Sequence, residues 1–520
     1  MGDQGQGGEA KTNAGPTAVP RSRGKSGRGG QVVRIVALAA LVVVSGVAWG
    51  VAIVYRGYDY DEVLRAHEVW LVSQGLRPYQ DFFEVHPPYF ALLTPVMRGF
   101  ADPYQALVAL RVTSLVGNLA FLAALVAIAV SSIPSGRLWA ALGVALMASH
   151  PCVMVFLAEF RIDGWAYALT VWSLYRFRRA AGPLRYAEMG LVTGVASLLF
   201  CLKFAMLPPL VVLLKGVMER QAPRRFLRNV GSYVLGLGLS AVVFGIFLGA
   251  WRPESVRNYA IGLRLQSEYG AIYGSEVGLG LLKELMVWRS LAVLTVAGLI
   301  GWVADRVLRR APPEPYHLAL AAWLATMAVI VPLPYKQYYA PWFLFATAFV
   351  AYLGPPLSRL PGWVGTPAFV VACGVSGFAV SAEAKTWYRD DAAGYQRLMI
   401  GYMHRVSLPG DHVIAVAPNH PIDRLDVFYF TLSSFSLRAD LDMLLDASPA
   451  LRGRVSARRY RKELEAHPPA FVVVAVEGGP TPYSARQTRV IEAFVLERSY
   501  RVLKVGQLWL AIRPDRDFRP

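Results

Sequence analysis

The sequence predicts an α-helical polytopic membrane protein that ends in a small α/β domain, and three observations lead there. Apolar residues form 55% of the chain and charged ones only 17%, with a mean hydropathy of +0.38, well beyond what a soluble chain of this length carries. Val32 to Tyr55 is almost wholly apolar and long enough to cross about 30 Å of hydrocarbon. The Lys and Arg residues fall between apolar segments instead of forming one stripe or a nucleic-acid module, so the net charge of +18 reads as a set of topology signals, and nucleic acid is excluded as a partner.

Taken in order, residues 1–31 are rich in Gly, Ser and basic side chains and have too little apolar surface to offset the entropy of folding, which predicts a disordered tail. The run that follows exceeds the roughly 7–15 residues of a cleavable signal core and reads as an uncleaved first span. Arg21, Arg23, Lys25, Arg28 and Arg34 place the N-terminus in the cytoplasm by the positive-inside rule. The first outer loop, 56–104, is then extracytoplasmic. Further apolar segments at 105–131, 137–157, 163–177, 187–202, 204–218, 229–250, 287–304, 316–333, 338–354 and 364–382 give about eleven crossings, with amphipathic helices expected in the first outer loop. The basic loops alternate sides as that count requires, with Arg137, Arg185, Arg224, Arg309 and Arg359 all on the cytoplasmic side. Residues 32–382 form the expected membrane domain. An odd number of spans puts residues 383–520 outside, where runs at His412 to Ala417, Ala470 to Val476 and Leu508 to Arg513 suit strands, and Ser456 to Ala466 and Ser484 to Tyr500 suit helices. The expected setting is the plasma membrane of a bacterial-type cell.

Three cysteines, Cys152, Cys201 and Cys373, lie within or beside apolar runs without paired spacing, so neither a disulfide framework nor a zinc motif is implied.

With topology fixed, ionisable residues far apart in sequence meet one membrane face. Asp61, Glu62, Arg65, Glu68, Asp81, Glu84 and His86 lie on the first outer loop, Arg161 and Asp163 at the outer end of a span pair, Lys203 at the next outer turn, Arg264 on the long loop Trp251 to Glu284, and Lys336 and Tyr339 on a later turn. A charge in the hydrocarbon costs on the order of 2.5–3.5 kcal/mol even on the lenient insertion scale, so these groups need water or one another. The stretch Asp61 to Gly75 separates Val63, Leu64, Trp70 and Leu71 from Asp61, Arg65 and Glu68 around a helix, which suits a helix lying on the membrane with its carboxylates at headgroup level.

The Asp61-Glu62 pair after the first span, then Gly75-Leu76-Arg77-Pro78-Tyr79-Gln80-Asp81-Phe82-Phe83, then His86-Pro87-Pro88 resembles C-type glycosyltransferases, in particular the protein O-mannosyltransferase and aminoarabinose-transferase branch. Arg111, Arg161-Ile162-Asp163, Lys203 and Tyr338-Tyr339-Ala340-Pro341 continue the resemblance in order. It covers residues 32–354. The resemblance implies transfer, with inversion, of a sugar from a polyprenyl-phosphate carrier to an acceptor hydroxyl or amine on a lipid, glycan or protein at the outer membrane face. Asp61 would be the general base, with Glu62 and Asp163 as further catalytic candidates, because an attacking hydroxyl must shed its proton while a departing phosphate needs its charge neutralised. Lys203, Arg65, His86, Arg264, Lys336 and Tyr339 are the candidates for the donor phosphate. The chain has His86 where the aminoarabinose branch has a lysine, which leaves the donor sugar open. A divalent metal ion is a candidate cofactor, with Glu84 and His86 as ligand types that suit one.

Structural roles compete with each of these. Asp61 and Glu62 suit a helix start, Asp81 a turn, Arg161 with Asp163 a buried ion pair, Lys203 a snorkelling lysine, and Tyr339 an interfacial aromatic belt. A transporter or flippase of a lipid-linked or small polar substrate, and a scaffold presenting the terminal domain, are the alternatives to an enzyme.

Overall fold

The computed structural model describes residues 28–84, 86–133, 135–179, 182–200, 205–273, 280–310, 312–330, 335–415, 417–428, 456–476 and 483–516, with side chains placed for all but 179, 265–280 and 330 of these. Most of the expected tail and Lys203 lie outside the described residues. Each expected span has a helix at its place, starting with Arg28–Tyr55, which takes in the last residues assigned to the tail. Among the described residues, six helices are long and apolar enough to cross a membrane alone: Arg28–Tyr55, Pro103–Ser132, Pro223–Leu248, Arg289–Arg309, the stretch Lys336–Leu357 and the stretch Gly362–Arg405. The chain is an integral membrane protein. The expected span 137–157 is a bent pair, Arg137–Ala148 and Pro151–Ala158, meeting at 73°, and the break falls where Pro151 cannot continue the preceding turn.

Small residues let the helices approach. Pro183–Val195 and Pro223–Leu248 cross at Gly190, Gly194 and Gly236, where an added Cβ would collide with Tyr233 O, Ser240 Oγ and Ala187 O respectively. Close backbone contact of this kind replaces the hydrophobic drive that lipid does not provide. The first span packs along Gly362–Asp390, where Arg34 Nε donates to Thr366 Oγ1 at 3.2 Å. That last long helix runs past residue 382 because Ala382, Glu383, Ala384 and Lys385 are strong helix formers, although the charged ones break the apolar run.

Two expectations change. The helix of the first loop, Tyr60–Ser73, does not present a charged face to water: Val63, Leu64, Ala66 and Val69 are buried, but so are Glu62, Arg65, His67 and Glu68 on its polar side. It shares one hydrophobic cluster with Tyr89, Phe90, Leu107 and Leu110 and with Met399, Met403, Val413, Phe471 and Leu510 of the C-terminal region. Each fully buried aliphatic side chain there contributes about 1.5–3 kcal/mol. The C-terminal region therefore shares a core with the loop helix. That region holds an antiparallel sheet with Phe471–Val476 and Arg501–Val505 flanking Leu508–Ile512, a short parallel pair His412–Val413 with Leu425–Asp426, and helices Ala457–Ala466 and Ala485–Glu497. The strand Arg501–Val505 was hidden by its composition, since as an exposed edge strand it carries Arg501 and Lys504 and lacks the apolar run that marked its neighbours.

Candidate active site

Local sequence sets the geometry at the start of the loop helix. Asp59 caps it: its side chain accepts from Asp61 N at 3.0 Å, while Glu62 Oε2 accepts from Asp59 N at 2.9 Å, forming a capping box. Asp61 and Glu62, adjacent in sequence, are thereby rotated into different surroundings. Glu62 has no exposed surface and accepts from Arg111 Nε and Nη2, both at 2.7 Å, from Arg56 at 3.1 Å and from Phe160 N at 2.7 Å. Burial pushes its carboxyl up, but Arg111 and Arg56 hold it well below the usual range. Arg111 also donates to Ile53 O, Arg56 O and Gly57 O, satisfying carbonyls at the end of the first span. Glu62 is thus fully occupied in joining the loop helix to two spans.

Asp61 is a quarter exposed and accepts from Arg161 Nη2 at 3.1 Å, with Arg65 Nη2 at 3.9 Å. Burial raises its pKa, yet Arg161, Arg65 and His86 together lower it to about 2. Arg161 donates through Nε to Glu159 Oε2 at 2.7 Å, and Lys336 Nζ bridges Asp59 Oδ2 at 2.6 Å and Glu159 Oε1 at 2.5 Å. Asp163 is buried nearby, close enough to act electrostatically on Arg65 and Arg161. Several buried N–H groups in this cluster have no hydrogen-bond partner among the described residues: Arg65 Nε and Nη1, Arg161 Nη1 and Arg56 Nε. Buried donors left unmade cost about 1–3 kcal/mol each, and an anion is the ligand that would satisfy them.

One and two turns further along, the charge pattern inverts. Glu68 and Glu84 lie together and His86 Nδ1 contacts Glu84 Oε1 at 2.5 Å. Burial and the neighbouring Glu84 push Glu68 well up, whereas His86 and Glu68 hold Glu84 at about 2 against the effect of burial. Ligand atoms of Glu68, Glu84 and His86 lie within 4.8 Å of one another.

The remaining candidates are dispersed. Asp81 closes its own turn, accepting from Arg77 N at 2.9 Å and Arg77 Nε at 3.0 Å. Arg264 is on the exposed side of helix Pro253–Tyr273, which reaches the first loop through Asn258 Nδ2 donating to Tyr79 O at 2.5 Å. Tyr339 follows Lys336 by one turn and packs near Trp288, ring centroids 6.2 Å apart. Asp59, Arg56 and Glu159 were missed. The D-x-x-E spacing of Asp59 and Glu62 was a readable cap signal, and Glu159 beside Arg161 marked a charged pair between apolar runs.

No protein-family model matches this sequence, and no curated protein matches it. Among solved structures, ArnT from Cupriavidus metallidurans in the apo state overlays with a TM-score of 0.54 at 14% identity, covering 90% of this chain and 96% of that one; the same protein bound to undecaprenyl phosphate gives 0.55 with the same identity and coverage. The chain has the fold of ArnT. The resemblance to C-type glycosyltransferases seen in the loop motifs therefore holds for the architecture across nearly the whole length of the ArnT chain. Arabinofuranosyltransferase AftD from Mycobacteria aligns more weakly, at a TM-score of 0.48 and 13% identity over 92% of this chain and 40% of that one.

Proposed function

We propose that this protein is an inverting glycosyltransferase that moves a sugar from a polyprenyl-phosphate donor to an acceptor hydroxyl or amine at the outer face of the membrane. The observation that carries this reading is the group of unmade, buried guanidinium N–H groups on Arg65 and Arg161 beside the partly exposed carboxylate of Asp61. A phosphate entering between them would take hydrogen bonds that the protein leaves open, and the leaving phosphate's charge would be stabilised in place. Those cations now depress Asp61. Sharing them with an incoming phosphate would weaken their hold on the carboxylate and raise its basicity toward the range useful for taking a proton from the attacking acceptor. Glu62, Arg111 and Arg56 position the helix, and Lys336 orients its cap. Arg264, Tyr339 and Lys203 are further donor-side candidates, and Asp163 an acceptor-side one.

The fold agrees with this chemistry, since the ArnT structure with undecaprenyl phosphate is that of a protein holding a polyprenyl phosphate. The donor set of Glu68, Glu84 and His86 fits a divalent cation, because Glu68 Oε2 is buried without a hydrogen-bond partner among the described residues beside a second carboxylate. Such an ion would supply positive charge for the phosphate.

The test is transfer by the purified full chain from a panel of polyprenyl-phosphate sugars to acceptors in a membrane extract. Asp61→Asn should lower the rate by about 10²–10⁴-fold, the usual contribution of a positioned general base, while the protein elutes as a folded species. Equal transfer by the native and Asn proteins removes Asp61 from the role.

A further inference from the structure

The loop helix carries a second cluster, on the side away from Asp61. His67 Nε2 lies 3.0 Å from Asp426 Oδ2, and His420 Nε2 lies 3.3 Å from Asp426 Oδ1. Both histidines are fully buried and their rings meet edge-on with centroids 4.4 Å apart. The second nitrogen of His67 settles its chemistry: Nδ1 is 2.7 Å from Ile422 O, and a carbonyl only accepts, so Nδ1 carries the hydrogen. Nε2 then faces the carboxylate with a lone pair, lone pair against lone pair, unless a cation lies between them.

We propose that His67, His420 and Asp426 bind a divalent transition-metal ion of the zinc class, which fastens the C-terminal region to the loop helix. Two imidazoles and a carboxylate are the donor set such an ion prefers over calcium or magnesium. The spacing fits: zinc bonds of about 2.0–2.1 Å place tetrahedral ligand atoms roughly 3.3–3.5 Å apart, close to the 3.0 Å and 3.3 Å found, and all of the ligand atoms lie within 4.8 Å of one another. Donation from the far nitrogen of a ligating histidine to a backbone carbonyl is the usual way its ring is oriented and its basicity raised, and His67 makes that bond. Tyr104 Oη donates to His420 O at 2.8 Å and fixes the backbone of the second ligand. The nearest arginine of that segment, Arg424, turns away to Ser407 and Asp423. Asp426 retains 13% side-chain exposure, giving the ion a way in and leaving room for water or the second carboxylate oxygen in the remaining position.

The experiment uses untagged, full-length Glu84→Gln protein in detergent, so that the other carboxylate and imidazole cluster is removed. After chelator treatment, reloading with zinc and dialysis, metal content should be about one equivalent per chain, falling to none when Asp426→Asn is added. Zinc-edge X-ray absorption of the loaded Glu84→Gln protein should show two imidazole ligands, which no other candidate metal group among the described residues supplies. That spectrum needs no ligand variant and is independent of whether Asp426→Asn folds. Retention of no metal by the Glu84→Gln protein overturns the proposal and leaves a proton as the bridging cation; so does a spectrum with fewer than two imidazoles, or metal content unchanged by Asp426→Asn.

Discussion

The two ends of the loop helix Tyr60–Ser73 solve opposite electrostatic problems. At its start, Asp59, Asp61 and Glu62 meet Arg56, Arg65, Arg111, Arg161 and Lys336, and it is N–H groups of Arg56, Arg65 and Arg161 that lack partners among the described residues. At its far end, His67 and Glu68 meet Glu84, His86, His420 and Asp426, where acceptors outnumber donors. One helix thus presents donors unpartnered among the described residues at one end and an excess of acceptors at the other. The lesson is that burial on both faces is sustainable for a polar helix when each end is completed by groups of the opposite sign from elsewhere in the chain.

The comparison can be broken or sharpened in four ways. The largest effect belongs to Glu62→Gln, which leaves Arg111 and Arg56 buried without their anion. Loss of about 3–5 kcal/mol of stability is expected from breaking such a pair, read as a drop in thermal midpoint in detergent. A neutral result would mean that the start of the helix does not depend on its ion pairs. Next, Arg65→Gln removes two of the open N–H groups. Charge-assisted hydrogen bonds of about 1.5–3 kcal/mol predict a loss of polyprenyl-phosphate affinity of roughly 10- to 100-fold, measured by calorimetry. Third, acid should act through Asp61. Its pKa is depressed from 3.8 to about 2 in the fold, so its contribution, about 2 kcal/mol by linkage, is fully present above pH 4 and lost as the pH falls through 2. Asp61→Asn should flatten that part of a stability profile against pH; an unchanged profile would show that the arginines do not hold the carboxylate down. The smallest effect is expected at Asp81, whose exposed pairing with Arg77 is worth about 0–1 kcal/mol. Asp81→Ala should leave transfer unaltered, and a large loss of activity would extend the site beyond the helix.

Much of the architecture was legible because lipid imposes a simple rule on sequence. Apolar runs such as Val32 to Tyr55 located helices, and the order of motifs from Asp61 to Pro88 pointed to the fold that the ArnT overlay gives. The candidate site was legible only as a set of residues on one face. Which acid meets which base was not, because hydropathy carries no information about pairing: Glu62 and Asp61 look equivalent in sequence, yet the cap at Asp59 turns one into a closed ion pair and leaves the other partly open. The burial of the loop helix was hidden for a similar reason. Its helical period showed one apolar face, and nothing local announced that His67 would be met by residues more than 350 positions away.

That long separation bears on how the protein is made. The contacts of His67 with Ile422 and Asp426 join an early-emerging segment to one translated several hundred residues later. During synthesis His67 stands without Ile422 and Asp426 until long after the loop helix has emerged, so the newborn chain carries an unfinished seam through much of its insertion. A copy truncated ahead of residue 422 would keep the loop helix but lack both groups that His67 meets in the fold.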